Sequence, residues 1–423
     1  MSGPLTHRCR YVLQVQPILA ALRRHRMATA LIVLQIALTL AVVSNALFIV
    51  MTRVVHLSRP TGTDEAHLFV IRNGWLGQSD RPHVDAQMRA DLSTLRSLPG
   101  VRDAFASEAY PLEGGWGGLV PIKLRPDQAT RPQFGISYFA DEHALDTFGV
   151  RLLAGRNFRS NEIGSLGPYD KSMPAVVIIT SDLATKLFPQ GSALGRTLYL
   201  ADDAPARIIG IVDRLEGAYV GSTTRSIDED TILLPARLAS PEGTNYLVRV
   251  QPGQLEMLMH AAPRALVAQD RQRLIDPDRD VISLTQAREQ GYATDRGVAI
   301  MMAAVCALLL LATASGVIGL SSFWVSQRRR QIGVRRALGA TRGDILGHFQ
   351  TENFLIVSGG VLLGCVLGVL ANLALMREYA LPRMPWWLLL LGAALLWMLG
   401  QLAVLGPARR AAAVPPVEAT RSV

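Results

Sequence analysis

Apolar residues dominate four stretches of the chain, at residues 27–51, 298–325, 354–376 and 386–405. About 20 apolar residues in a helix cross the hydrocarbon core of a bilayer, and each stretch reaches that length. The first is far longer than the core of a secretory signal, so it is expected to remain as an anchor.

Between the first two stretches the pattern changes period. Short β-rich runs occur at "HLFVIR" (67–72), "FGISYF" (134–139), "AVVIIT" (175–180), "ARIIGIV" (206–212), "TILLP" (231–235) and "YLVRV" (246–250). Helical spacing links Met88, Leu92, Leu95 and Leu98, and Pro99-Gly100 ends it. Ser181 can cap a short helix through Phe188, and another helix fits 254–268. The order strand 67–72, helix 86–98, strand 101–108 follows the first apolar stretch. Strand 246–250, helix 254–268, strand 279–284 precedes the second. Two β-α-β units thus bracket the middle. They predict one subdomain built from 60–112 and 244–290, with 115–240 inserted as a mainly β subdomain. The expected fold is a membrane protein: four transmembrane α-helices with a large α+β extracytoplasmic domain, 52–297, between helices one and two.

Charge then sets orientation. The 423 residues carry a formal +9, but 53–296 hold 27 Lys+Arg against 30 Asp+Glu. The excess lies in the segments that flank the apolar stretches, which explains the basic balance by topology and not by nucleic acid. Arginines cluster in the tail 1–26, the loop 326–353 and the tail 406–423; the loop between helices three and four has only Arg377 and Arg383. Both termini and the 326–353 loop are expected in the cytoplasm, with 52–297 outside. Trp324, Trp386 and Trp387 are placed for an interfacial aromatic belt.

Candidate chemistry is sparse. Cysteine occurs only at Cys9, Cys306 and Cys365, so the central region holds no disulfide framework or thiolate metal site. "DPDRD" begins like a calcium loop, but Val281 and Ala287 stand where glycine and glutamate are needed. "DED" (228–230) reads as a solvated loop. Trp75 and Trp116 sit in glycine-rich turns, where domain packing and partner contact are both open. Lysine is limited to Lys123, Lys171 and Lys186, none after glycine, so no P-loop exists in this chain. No catalytic residue and no metal site are assigned. Charged side chains are missing from the depth of the spans, which disfavours a proton relay. Gly360, Gly364 and Gly368, spaced by four with Asn372 next, give a smooth helix face for close packing, within the chain or at a seam with a second copy.

Residues 328–345, "RRRQIGVRRALGATRGDI", place six arginines within fifteen residues. Arg328–Arg330 directly follow a span, as the positive-inside bias requires. The remainder asks for more. Val334, Leu338 and Thr341 follow one helical face, and Arg328, Arg329, Arg335 and Arg336 another. Gly339 suits a helix stop. Thr341 and Asp344 have the spacing of a capping box that starts the next helix.

This stretch resembles the cytoplasmic motif of the MacB/FtsX family of ABC-transporter permeases. "FGVRLLAGRNF" (148–158), "SDLATKLFPQGSALGRTL" (181–198) and "ARIIGIVDRL" (206–215) are similar to the family's periplasmic core domain. "GPARRAAAVPPVEATR" (406–421) is similar to its C-terminal tail. The family often has glutamate where this chain has Gln331. The resemblance implies a multi-pass protein of the bacterial inner membrane that works as a dimer, either of itself or with a sister permease. Its further partners would be an ABC ATPase subunit carrying ATP and magnesium, and a periplasmic adaptor in some members. With about 26 residues before the first span, a permease-only member is expected. The coupling loop would act through Arg335, Arg336, Ala337, Leu338, Gly339, Ala340, Thr341 and Asp344. The implied function is export or extraction of a substrate from the periplasm or outer leaflet. The alternative is an FtsX-like regulator that passes motion to a periplasmic partner without transport.

Overall fold

The computed structural model describes residues 26–77, 80–113, 118–170, 172–218, 227–379 and 383–413. They form two compact units. Arg59–Thr294 make up one, and the segments that flank it make up the other.

Helices are numbered in chain order: α1 (Arg26–Leu57), α2 (Arg81–Ser97), α3 (Ala144–Phe148), α4 (Ser181–Leu187), α5 (Leu255–Gln269), α6 (Leu284–Gly291), α7 (Ala293–Gln327), α8 (Arg329–Ala337), α9 (Arg342–Tyr379) and α10 (Trp386–Ala413). The strands are β1 (Leu68–Trp75), β2 (Val101–Ser107), β3 (Gly118–Ile122), β4 (Gln133–Ala140), β5 (Leu152–Gly155), β6 (Gly164–Leu166), β7 (Val176–Thr180), β8 (Thr197–Tyr199), β9 (Pro205–Val212), β10 (Thr231–Leu238), β11 (Gly243–Val250), β12 (Arg273–Leu274) and β13 (Val281–Ser283).

In the outer unit, one sheet has the order β12-β1-β11-β2, with β13 also on β1. β1 and β2 are both antiparallel to β11, so they run parallel to each other with β11 between them. Likewise β1 lies between β11 and β13. The two β-α-β units are therefore split and interlocked, each filling the other's gap. Strand alternation gives this sheet two buried faces. Phe69, Ile71, Tyr246 and Val248 pack under α2 and α5 with Met88, Leu92 and Leu266. Leu68, Val70 and Leu247 turn the other way, toward Phe105, Tyr138 and Phe148. Asp80 starts α2 by accepting from the His83 amide at 3.1 Å, an N-cap the apolar spacing did not reveal.

The second sheet has the order β3-β4-β10-β7-β9-β5, with β6 on β10 and β8 on β9. It draws its strands from 118–238, the inserted segment. Two expectations need correction here. Ser181 does not cap α4; its hydroxyl donates to the Asp213 carbonyl at 2.8 Å. The acidic run at 228–230 is not a solvated loop. Asp228 and Asp230 are 2% and 0% exposed, and Asp230 accepts from Lys186 Nζ at 2.7 Å. A charge run is read from sequence as solvated because its counter-charges lie far away in the chain.

Among the described residues, the other unit contains four helices long and apolar enough to cross a membrane: α1, α7, α9 and α10. The glycine row of α9 packs on α1. A Cβ on Gly360 would lie 2.7 Å from Ile36 Cβ, and one on Gly364 would lie 3.0 Å from the Ala37 carbonyl oxygen. At Gly368 it would meet Leu389 at 3.0 Å and Ser44 Oγ at 3.3 Å. Asn45 Nδ2 donates to the Gly368 carbonyl at 3.0 Å, and Asn372 accepts from the Met384 amide at 3.3 Å. The small residues thus serve packing within the chain.

α7 is held differently. Arg53 pairs with Asp295 at one end, and Thr39 and Thr313 share a hydroxyl hydrogen bond of 2.8 Å midway. Gln35 donates to the Ala312 carbonyl at 3.1 Å. Along the same helix Ile300, Leu308, Leu311 and Ile318 are exposed.

Candidate coupling surface

The loop after α7 is short and well braced. Arg328 interrupts the helix for one residue, but its amide still reaches the Trp324 carbonyl at 3.0 Å. The Ile332 amide in turn reaches the Arg328 carbonyl at 2.9 Å. α8 therefore continues α7 nearly in register. It ends where Gly339 adopts φ +99°, a left-handed conformation that glycine enters without a Cβ clash. The Leu338 amide closes on the Val334 carbonyl at 3.0 Å, and the Ala340 amide on that of Arg335 at 3.1 Å.

α9 then begins with a reciprocal cap. The Asp344 amide donates to Thr341 Oγ1 at 3.2 Å, and Asp344 Oδ2 accepts from the Thr341 amide at 3.0 Å. The Thr341 hydroxyl also donates to Asp344 Oδ2 at 2.7 Å. Two helix-start donors are satisfied inside the turn, which fixes the angle between α8 and α9 without outside help.

The faces of α8 are resolved by burial. Ile332 is 6% exposed and packs with Trp324, Val325, Ile345 and Phe349. Val334 and Leu338 are not on that side: they are 49% and 83% exposed. Arg335, Ala337, Gly339, Thr341 and Asp344 are exposed as well, and Ala340 is half-buried. The side chain of Arg336 lies outside the described residues. One rim of the loop thus presents leucine, valine and arginine together. A rigid shape of this kind offers an apolar anchor with positive charge beside it.

Arg328 and Trp324 depart from expectation. Arg328 does more than mark a membrane side. Its Nη1 donates to both carboxylate oxygens of Glu352, at 3.1 and 2.8 Å, and Glu352 is 2% exposed. The guanidinium also lies over the Trp324 ring, 5.9 Å from its centre. Trp324 is 5% exposed, so it is covered by protein and is not an interfacial belt residue. Trp386 and Trp387 remain exposed, as a belt requires.

The outer unit shows packing where a site was open. Trp75 is buried under Arg273, 5.1 Å from ring to guanidinium, so packing accounts for it. Trp116 lies outside the described residues. An open polar cleft of about 520 Å³ is bordered by Arg72, Glu108, Asn245 and Arg279. Burial pushes the Glu108 carboxyl up to about 7. Glu216 is pushed up to about 8, first by burial and then by repulsion from Asp228 and Glu229. Among the described residues, no group of side chains is arranged to hold a metal ion.

Known proteins resemble both units. The MacB-like periplasmic core domain matches residues 29–274, more than half the chain, and the FtsX-like permease C-terminal domain matches 303–416. The "Macrolide export ATP-binding/permease protein MacB" of Chromobacterium violaceum is 26% identical over 277 residues, covering 64% of this chain and 41% of that protein. The protein of the same name from Shewanella oneidensis is 24% identical over 420 residues, covering 97% of this chain and 60% of its own length. The "Uncharacterized ABC transporter permease YknZ" of Bacillus subtilis is 23% identical over 336 residues, 78% of each chain. The chain thus spans less than two thirds of these MacB proteins, and matches their permease part. Among solved structures, the periplasmic region of MacB from Actinobacillus actinomycetemcomitans aligns with 56% of this chain and 97% of its own, at 12% identity and a TM-score of 0.33. The extracellular domain of YknZ aligns with 49% of this chain and 99% of its own, at 16% identity and a TM-score of 0.32. With a MacB-like core domain inserted after its first membrane helix and an FtsX-like region after it, the chain belongs to the MacB-like family of ABC transporter permeases.

Proposed function

We propose that this chain is the permease subunit of an ABC transporter whose ATPase is a separate polypeptide. ATP and magnesium bind to that partner. The exposed rim of α8 and the Gly339–Thr341 turn dock it, and ATP-driven movement of the partner passes through α7 to the outer domain. That movement exports or extracts a substrate from the periplasm or the outer leaflet. The chain lies in the bacterial inner membrane with both termini in the cytoplasm, paired with a second permease.

The observation that carries this reading is Leu338. It is 83% exposed on a capped, rigid turn, beside exposed Val334 and Arg335. A large apolar side chain held so far into solvent suits a partner's pocket. Lipid contact would not need the glycine stop or the cap. The test is co-purification with an ABC ATPase from native membranes. Leu338→Asp, or Arg335→Glu with Arg336→Glu, is expected to abolish it while membrane insertion stays normal. Unchanged co-purification in both variants refutes the docking role.

A further inference from the structure

Arg328 and Glu352 lie 24 residues apart in sequence, on opposite sides of the break at Gly339. One stands where α7 meets α8, and the other lies within α9. Their ion pair closes a loop that contains all of α8 and the capped turn. Glu352 is the residue that makes the closure firm. Its side chain is 2% exposed, and Arg328, 18% exposed, donates to both of its oxygens. A carboxylate so enclosed cannot exchange its partner for water without a large desolvation cost. The tryptophan beneath adds to the constraint, since Arg328 is stacked on Trp324 while it binds Glu352. Apolar contacts seal the same side: Ile332 of α8 packs with Ile345 and Phe349 of α9.

The exposed and clamped sides of the loop have different work. The rim with Leu338 faces outward, and the Arg328–Glu352 pair ties the opposite side to two membrane helices at once. α7 has little else to hold it. Its other polar fastenings described above are the Thr39–Thr313 bond, the Gln35 bond and the Arg53–Asp295 pair. A push on α8 would be lost as local flexing if the junction at Arg328 could open.

We propose that Arg328 and Glu352 are positioning residues that clamp α7 to α9, so that a force on α8 moves both membrane helices together. The clamp acts through the helices and touches neither ATP nor substrate. It rests on the coupling role given to the loop. The role distinguishes it from a plain stabilising pair: breaking it leaves partner binding and ATP turnover in place but separates them from movement outside the membrane.

The test uses the full chain purified with its ABC ATPase and placed in nanodiscs. Co-purification, ATP hydrolysis and hydrogen–deuterium exchange are measured, the last with and without ATP, magnesium and vanadate. In the unsubstituted complex, exchange in α7 and in 59–294 is expected to change on trapping. Glu352→Gln is expected to keep co-purification and hydrolysis but lose that change. The charge-swapped pair, Arg328→Glu with Glu352→Arg, is expected to recover it. Arg328→Gln removes the cation that holds both Glu352 oxygens, so it serves if Glu352→Gln does not insert; loss of the change is expected there too. A full ATP-dependent change in a broken-pair variant overturns the clamp. Absence of any change in the unsubstituted complex overturns the coupling reading, and the clamp with it.

Discussion

Arg273 and Asp91 form a two-pronged ion pair in which neither side chain is reached by water. Arg273 Nη1 lies 2.6 Å from Asp91 Oδ2, and the Tyr246 hydroxyl donates to the same oxygen at 2.5 Å. The pair joins α2 to β12, and Trp75 covers the guanidinium. Removing one charge strands the other in the core. Asp91→Ala is expected to destabilise the outer domain by about 3–5 kcal/mol, whereas joint replacement by apolar residues of similar size costs less. Thermal unfolding of the full chain in detergent, followed by tryptophan fluorescence, measures both.

The glycine row gives a second expectation. Gly364→Leu drives a side chain into the α1 backbone near Ala37, where even a Cβ lies 3.0 Å from the carbonyl oxygen. Overpacking of this kind costs about 1–3 kcal/mol. Gly319, which has nothing within 4 Å of a built Cβ, should accept alanine with little change. Melting temperatures of the two variants in the same detergent make the comparison.

Glu216 predicts a pH dependence. Its folded value is raised from 4.5 to about 8, so the folded domain keeps a proton that the unfolded chain releases. Stability is therefore full below about pH 4.5 and falls as pH rises toward 8. Glu216→Gln, neutral throughout, is expected to flatten that fall. Unfolding midpoints at steps across this window decide it; an identical slope in the variant would refute the assignment.

Thr341→Ala removes the hydroxyl from the start of α9. The loss expected for an N-cap is ~1 kcal/mol, or about fivefold faster exchange of the first-turn amides. Thr341→Ser should retain protection, because its oxygen can still accept from the Asp344 amide.

Much of this architecture was legible in the pattern of side chains. Runs of apolar residues long enough for a bilayer need no tertiary information, and residues 176–179 of β7 and 208–212 of β9 carry no polar side chain because both faces are covered. Gly339 and the Thr341–Asp344 spacing were readable for the same reason: a helix stop and a cap are local. Long-range pairing was not readable. Arg328 looked like part of an arginine run because Glu352 is 24 residues away. Asp230 looked solvated because Lys186 comes from another element. Periodicity showed that Val334 and Leu338 share a side of α8, but it could not say whether that side is covered. The partner of that face is decided by what lies beyond the helix.

β1 follows the start of the unit at Arg59, β13 comes before α6 and its end at Thr294, and the two strands are antiparallel neighbours with Phe69 opposite Ser283. The start of β1 and the end of β13 therefore lie about 5 Å apart, the spacing of one strand from the next, and Arg288 of α6 donates to the Arg59 carbonyl. A domain whose ends emerge together behaves as a cassette. Exchange of residues 59–294 for a relative's domain has one narrow spacing to reproduce, whatever the size of the graft. Helices α1, α7, α9 and α10 and the turn at Gly339 could then be kept as a common chassis, while the domain between α1 and α7 is exchanged.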